Sequence, residues 1–235
     1  MSNARICFHI DINIGNRTLF FSDFSRFSNM SHGEGVNVLL QLEKYDAIIF
    51  DMDGTLLDTM PNHDKAWEIT AENFQFPYDQ AWLHSLGGMP SYKITGEVNK
   101  RYQLNLDQGE VSRFKMMTFT TLPFEGQIIE HTFEVYKQHI DIKPMAIGTG
   151  SQRDSAIRLL TEAGVLDDFE CVVTATEVEN HKPNPDTFVI AAEKMGKTPE
   201  NCVVFEDTQL GLQAAHAAGM DCYLVTESGF EFYPV

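Results

Sequence analysis

The sequence predicts an α/β protein with a Rossmann-like, doubly wound parallel sheet and a small all-helical domain inserted after its first strand. Three observations carry this expectation. Short apolar runs of strand length recur at 45–50, 145–148, 171–173, 202–205 and 222–225, and stripes of helical period separate the last four. Residues 60–124 carry helical spacing and no strand-like run. Several apolar runs end abruptly in acids, hydroxyls or glycines, which in an open α/β sheet gathers polar groups at one edge.

Residues 1–43 show no period and are set aside as an N-terminal extension of uncertain role, with Ser2-Asn3-Ala4 read as a cloning remnant and Met30 as an alternative start. The core is expected over 44–59 and 125–235. Its first strand, Tyr45 to Phe50, runs into Asp51-Met52-Asp53-Gly54, where an Asp-Gly pair ends the strand. Two acids one residue apart repel each other, and a hard divalent cation with oxygen ligands is the simplest compensation. A calcium loop is excluded, because Thr55, Leu56 and Asn62 stand where that loop needs an acid or amide, a glycine and a glutamate.

In the insert, Trp67, Ala71 and Phe74 share one helical face, Gly87-Gly88-Met89-Pro90 breaks the pattern, and Val111, Phe114 and Thr118 mark a later helix. This insert is expected to lie as a lid over the carboxyl edge of the sheet. A helix through Ile129, Phe133 and Tyr136 leads back to the strand Met145–Gly148, and one with Ala156, Leu159, Leu160 and Ala163 leads to Cys171–Val173. Phe188, Ala191, Ala192 and Met195 stripe the next helix, followed by Cys202–Phe205, an alanine-rich helix and Cys222–Val225. The aromatic tail from Glu227 onward has no clear period.

With 34 acidic against 17 basic residues, a net charge of −17 disfavours nucleic acid and anionic membranes as partners. No apolar run reaches spanning length, and the four cysteines lack metal-type spacing, so a cytoplasmic protein with free thiols is expected.

The chemistry is expected at the strand ends. Gly148-Thr149-Gly150-Ser151 puts a hydroxyl between glycines directly before a helix, where free N–H groups and the helix dipole favour a phosphate. A dinucleotide fingerprint fails, because Arg153 occupies the third glycine's place. In His181-Lys182-Pro183-Asn184-Pro185, the prolines delay the helix and hold the lysine at the sheet edge. The fourth strand ends at Glu206-Asp207, completing an acid set with Asp51 and Asp53.

These four motifs in this order resemble the haloacid dehalogenase superfamily of phosphotransferases, over residues 45 to 226. The resemblance implies Asp51 as nucleophile in a covalent aspartyl-phosphate mechanism, with Asp53 as general acid and base. It further implies Thr149, Gly150 and Lys182 holding the phosphoryl oxygens, and Mg2+ bound by Asp51, Glu206, Asp207 and the Asp53 backbone carbonyl. Asp53 disfavours a dehalogenase, since the true dehalogenases of the family lack the second acid. The small helical insert is similar to the cap of sugar-phosphate phosphatases and β-phosphoglucomutases, which implies His63, Lys65, Gly88, Lys93 and Lys115 as substrate-facing residues. Ser91 stands where the mutases carry a phosphate-gripping arginine, so a phosphatase of fructose-1-phosphate-like sugar phosphates is expected, with the mutase as alternative and a catalytically inactive binding module as a lower one. Its expected partner is a small phosphomonoester, and its expected state a monomer or weak homodimer.

Overall fold

In the computed structural model, residues 13–14, 17–18 and 40–235 are described. The chain divides into two compact units, Met1–Val36 and Asn37–Val235. In the first, β1 (Asn13–Ile14) pairs antiparallel with β2 (Arg17–Thr18). The expectations for Ser2-Asn3-Ala4 and Met30 lie outside the described residues.

The second unit holds a six-stranded sheet made of β3 (Ala47–Phe50), β4 (Met145–Gly148), β5 (Cys171–Val173), β6 (Cys202–Glu206), β7 (Asp221–Thr226) and β8 (Gly229–Tyr233). Their order is β5-β4-β3-β6-β7-β8, parallel throughout except for the antiparallel pair β7 and β8. After β3 the chain builds outward through β4 and β5, then returns to lay β6 on the other side of β3. That reversal puts the topological switch point at the carboxyl end of β3, where open α/β sheets bind ligands.

Strand residues alternate strictly between two apolar layers, as the two-residue period of a strand requires. Ile48, Phe50, Ile147, Val203, Phe205 and Tyr223 face one layer with Leu159 and Leu160 of α6 (Arg153–Glu162) and Tyr136 of α5 (Glu130–His139). Ala47, Ile49, Ala146, Val204 and Cys222 face the other, with Phe188 of α7 (Asp186–Lys194) and Leu212 of α8 (Gln209–Ala217). Each large side chain so buried stabilises the fold by about 1.5–3 kcal/mol, and the summed burial fixes the rim on which the polar residues stand.

Between β3 and β4 lie α1 (Met60–Phe74), α2 (Gln80–Ser85), α3 (Ser91–Tyr102) and α4 (Gln108–Thr121), ahead of α5. The first four enclose an apolar cluster of their own, with Trp67, Ala71, Phe76, Leu83, Ile94, Val98 and Val111 at its centre. Trp67 is thus a packing residue, as its spacing suggests. The sequence pattern missed α2, which has only six residues, and α3, whose buried face is Ile94, Thr95 and Val98.

Two further features correct the sequence reading. The aromatic tail is a strand: Phe230 packs on the sheet's first layer and Tyr233 on its second. The excluded segment also ends too late, because Leu42 is buried in the core and the Gln41 N–H donates to the Tyr223 hydroxyl. Cys171, Cys202 and Cys222 are free thiols, and burial pushes all three above the ordinary thiol range. Among the described residues, no helix is long and apolar enough to cross a membrane.

Candidate active site

Asp51 follows β3 directly, its N–H donating to the Phe205 carbonyl of the neighbouring strand at 2.9 Å. This ladder bond carries the strand one residue past its regular end and fixes the carboxylate at the switch point. Glu206 closes β6 beside it, and Lys182 reaches both from the loop before α7. The Lys182 ammonium donates to Asp51 Oδ1 at 2.6 Å and to Glu206 Oε1 at 2.8 Å, with all three side chains at most 5% exposed.

Burial works against the lysine charge, but the two carboxylates outweigh it and hold its pKa above the usual range. Asp51 is pushed well above the carboxylate range, chiefly by burial, with Lys182 pulling the other way and Glu206, Asp207 and Asp53 adding repulsion. Asp207 is raised by burial and by Glu206, to about 8. A single ammonium does not balance these acids. Oxygens of Asp51, Glu206 and Asp207 lie within 4.8 Å of one another, a hard all-oxygen donor set that fits a divalent cation such as Mg2+.

Glycines make the cluster possible. A Cβ on Gly211 would sit 1.9 Å from the Glu206 carboxyl carbon, so only glycine lets the first turn of α8 settle onto that side chain. Gly54 has φ +82° and a Cβ there would meet Asp207 Oδ2 at 2.4 Å. Thr55 donates to Asp207 Oδ1, and Thr208, the N-cap of α8, donates its hydroxyl to Glu206 Oε2.

Asp53 has a different setting from Asp51. Its Oδ1 accepts from the Thr59 hydroxyl at 2.7 Å and faces His63 Nε2 at 3.3 Å, while its Oδ2 accepts from Thr149 at 3.2 Å and Ser151 at 2.7 Å. Burial opposes its ionisation, but these donors, His63 foremost, hold it well below the usual carboxylate range. Two carboxylates of one motif are thereby pushed in opposite directions. The Asp53 side chain is outside the three-acid cluster, leaving only its backbone carbonyl for the metal role the sequence suggested. Thr59, the N-cap residue of α1, makes no cap bond because its hydroxyl is turned to Asp53.

Thr149 is fully buried and bonded to Asp53, while Gly150 touches the helical segment: a Cβ there would lie 2.4 Å from the Gly88 carbonyl oxygen. Gly87 and Gly88 also pack on Thr208. The loop before α3 is thus pressed onto the sheet rim. Beneath it lies a cavity of about 80 Å3 walled by Asp51, Asp53, Glu206 and Asp207 on one side and His63, Gly88, Ser91 and Lys115 on the other.

Lys115 is buried, with Nζ 2.7 Å from His63 Nδ1. An ionised carboxylate only accepts, so Nε2 carries the proton turned to Asp53 and Nδ1 accepts from Lys115. Burial pulls Lys115 down to about 7 and, with Lys115, lowers His63.

Two expected substrate residues are elsewhere. Lys65 is exposed and paired with Glu68. Lys93 lines a separate surface groove with Glu97, Lys100 and Gln108. Each follows a wall residue in sequence, Asp64 and Tyr92's neighbour Ser91 among them, but one or two residues along a helix turns the side chain off the wall face. Sequence reasoning in turn missed Thr59, Ser151, Thr208 and Gly211, whose only signal is their placement next to the motifs.

Fold and site together define a doubly wound α/β protein whose buried carboxylates and lysine meet at the switch point of its sheet. The chain belongs to the family of haloacid dehalogenase-like hydrolases, whose pattern matches residues 48–225. It is 40% identical over 179 residues to the fructose-1-phosphate phosphatase YqaB of Escherichia coli, covering 76% of this chain and 95% of that one. It is 28% identical to the β-phosphoglucomutase of Bacillus subtilis, covering 74% and 80% of the two chains. A solved structure of β-phosphoglucomutase from Clostridium difficile shares the fold with a TM-score of 0.67 at 24% identity, over 76% of this chain and 83% of that one.

Proposed function

We propose that this chain is a cytoplasmic, Mg2+-dependent phosphatase of small sugar phosphates of the fructose-1-phosphate kind, with α1 to α4 serving as a cap over its core. The observation that carries this reading is the opposed setting of the two acids of one motif, Asp51 against Lys182 and the metal-type cluster, Asp53 amid His63 and three hydroxyls. That division suits one carboxylate to bond phosphorus and the other to move protons.

In this reading an oxygen of Asp51 attacks phosphorus, the ester P–O bond breaks, and the departing alkoxide takes a proton from Asp53. Asp53 is ionised as it stands, and a phosphoryl dianion arriving beside it raises its pKa and lets it hold that proton. Asp53 then withdraws a proton from the water that attacks the aspartyl-phosphate, releasing phosphate and restoring Asp51. Lys182, the Thr149 hydroxyl and the Gly150 N–H are assigned to the phosphoryl oxygens. A bound Mg2+ on Asp51, Glu206, Asp207 and the Asp53 carbonyl supplies charge that offsets the repulsion between carboxylate and phosphate dianion.

The mutase alternative needs a second phosphate held firmly in the cap. Lys115, already bonded to His63, is the one lysine on the cavity wall among the described residues, and Ser91 there donates weakly to Met116. Phosphate release from fructose 1-phosphate, β-glucose 1-phosphate and a panel of other phosphomonoesters, with Mg2+ and then with EDTA, tests the proposal. Turnover without any added bisphosphate, lost with EDTA, is expected. Conversion of β-glucose 1-phosphate to its 6-phosphate, primed by a bisphosphate and improved by Ser91→Arg, would establish the mutase instead.

A further inference from the structure

We propose that Asp64 is a specificity-determining residue, which excludes a second anionic group from the cap side of the cavity and so selects the monophosphate of an uncharged, hydroxyl-bearing molecule over its bisphosphate. This inference rests on the phosphatase reading above.

Met60, His63, Asp64 and Trp67 stand at i, i+3, i+4 and i+7 of α1, and all four line the cavity. Ser112, Lys115 and Met116 face it from α4 at the same kind of spacing. Three of these seven residues are ionisable, and two of them neutralise each other's demands: Lys115 is bonded to His63, which is bonded to Asp53. The third, Asp64, has a neutral partner. Its Oδ2 accepts from the Gln80 side chain at 2.7 Å, and it makes no ion pair among the described residues. A neutral donor fixes a carboxylate in place without offsetting its charge, and Asp64 is part of the cavity wall.

A wall of this composition accepts hydrogen bonds from substrate hydroxyls and repels a distal phosphate or carboxylate. Asp51, Glu206 and Asp207 stand beside Lys182 in a donor set that fits a divalent cation, and Asp53 faces His63, whereas Asp64 makes no ion pair among the described residues. A unit charge about 11 Å from another, at an effective dielectric near 20, changes a binding constant by about tenfold.

The test compares fructose 1-phosphate with fructose 1,6-bisphosphate, which share one leaving-group skeleton. The ratio of kcat/KM for the two esters is measured with Mg2+ for the wild-type protein, Asp64→Asn, Asp64→Ala and Asp64→Glu. The ratio is expected to fall about tenfold, through KM for the bisphosphate, in Asn and Ala alike, and to return in Glu, which restores charge without restoring shape. A ratio unchanged in both charge-removing variants, or shifted equally in Glu, overturns the role of Asp64 while leaving the phosphatase standing. Wild-type protein that releases phosphate from no monoester overturns both.

Discussion

Lys115 has lost most of its tendency to carry charge, and the consequence is open to measurement. Burial draws its pKa down to about 7, against 10.5 for an ordinary lysine. Between those values the unfolded chain binds a proton that the folded chain does not, so stability contributed at this position rises with pH across the window. Below about pH 7 both states are protonated and the full cost of burying the charge is present. Lys115→Met is therefore expected to raise the melting temperature more at pH 6.5 than at pH 10, and an equal shift at both would contradict the account. The motif residues Asp51, Thr149, Glu206 and Asp207 were legible because they stand where apolar runs end, and Lys182 because two prolines follow it before a helix. Thr59 and Ser151 were not, since a hydroxyl beside a helix start reads as an ordinary cap until the partner carboxylate is placed. Asp221 was also missed, though it accepts from Lys44, Tyr45 and the Val235 N–H and so ties together three distant parts of the chain.

Helices and loops set how close the helical segment between β3 and β4 approaches the sheet. The Gly150 to Gly88 contact leaves no room for a methyl group, and the obstructing atom is a backbone carbonyl that no rotamer change removes. Gly150→Ala is expected to hold the loop before α3 off the rim, lowering kcat by about tenfold or more while the melting temperature stays near that of the wild type. Full activity in a folded Gly150→Ala protein would mean that the contact is dispensable. At this scale the long amphipathic stretches α1 and α4 declared themselves by period, while α2 and β8 did not. Six residues complete less than two helical turns, and Phe230-Glu231-Phe232-Tyr233 offers too few alternations to separate a strand from a loop. Lys65 and Lys93 were misplaced for a related reason: charge at a sequence neighbour of the wall says nothing about which side of the helix it occupies.

The molecule as a whole works because its chain order reverses once. Laying β6 beside β3 brings Asp51 within reach of Glu206, 155 positions later, and the loop after β5 adds Lys182 between them. This architecture was readable in outline, since buried parallel strands give continuous apolar runs and the helices between them give clean stripes. The register and the two-layer alternation that aim each rim residue were not, because both depend on pairing between segments far apart in sequence. With a net charge of −17, the protein approaches an anionic ester against its own field. Attraction is concentrated at the rim, where Lys182 and the metal-type cluster lie.

The central claim is that Asp51 forms the bond to phosphorus, and replacing its nucleophilic oxygen tests that most directly. Release of phosphate from fructose 1-phosphate with Mg2+ is compared in wild-type protein and Asp51→Asn, both verified as folded by their melting transitions. The account expects turnover in the first and a loss of about a thousandfold or more in the second. Phosphate release by Asp51→Asn within a few-fold of the wild-type rate would contradict it.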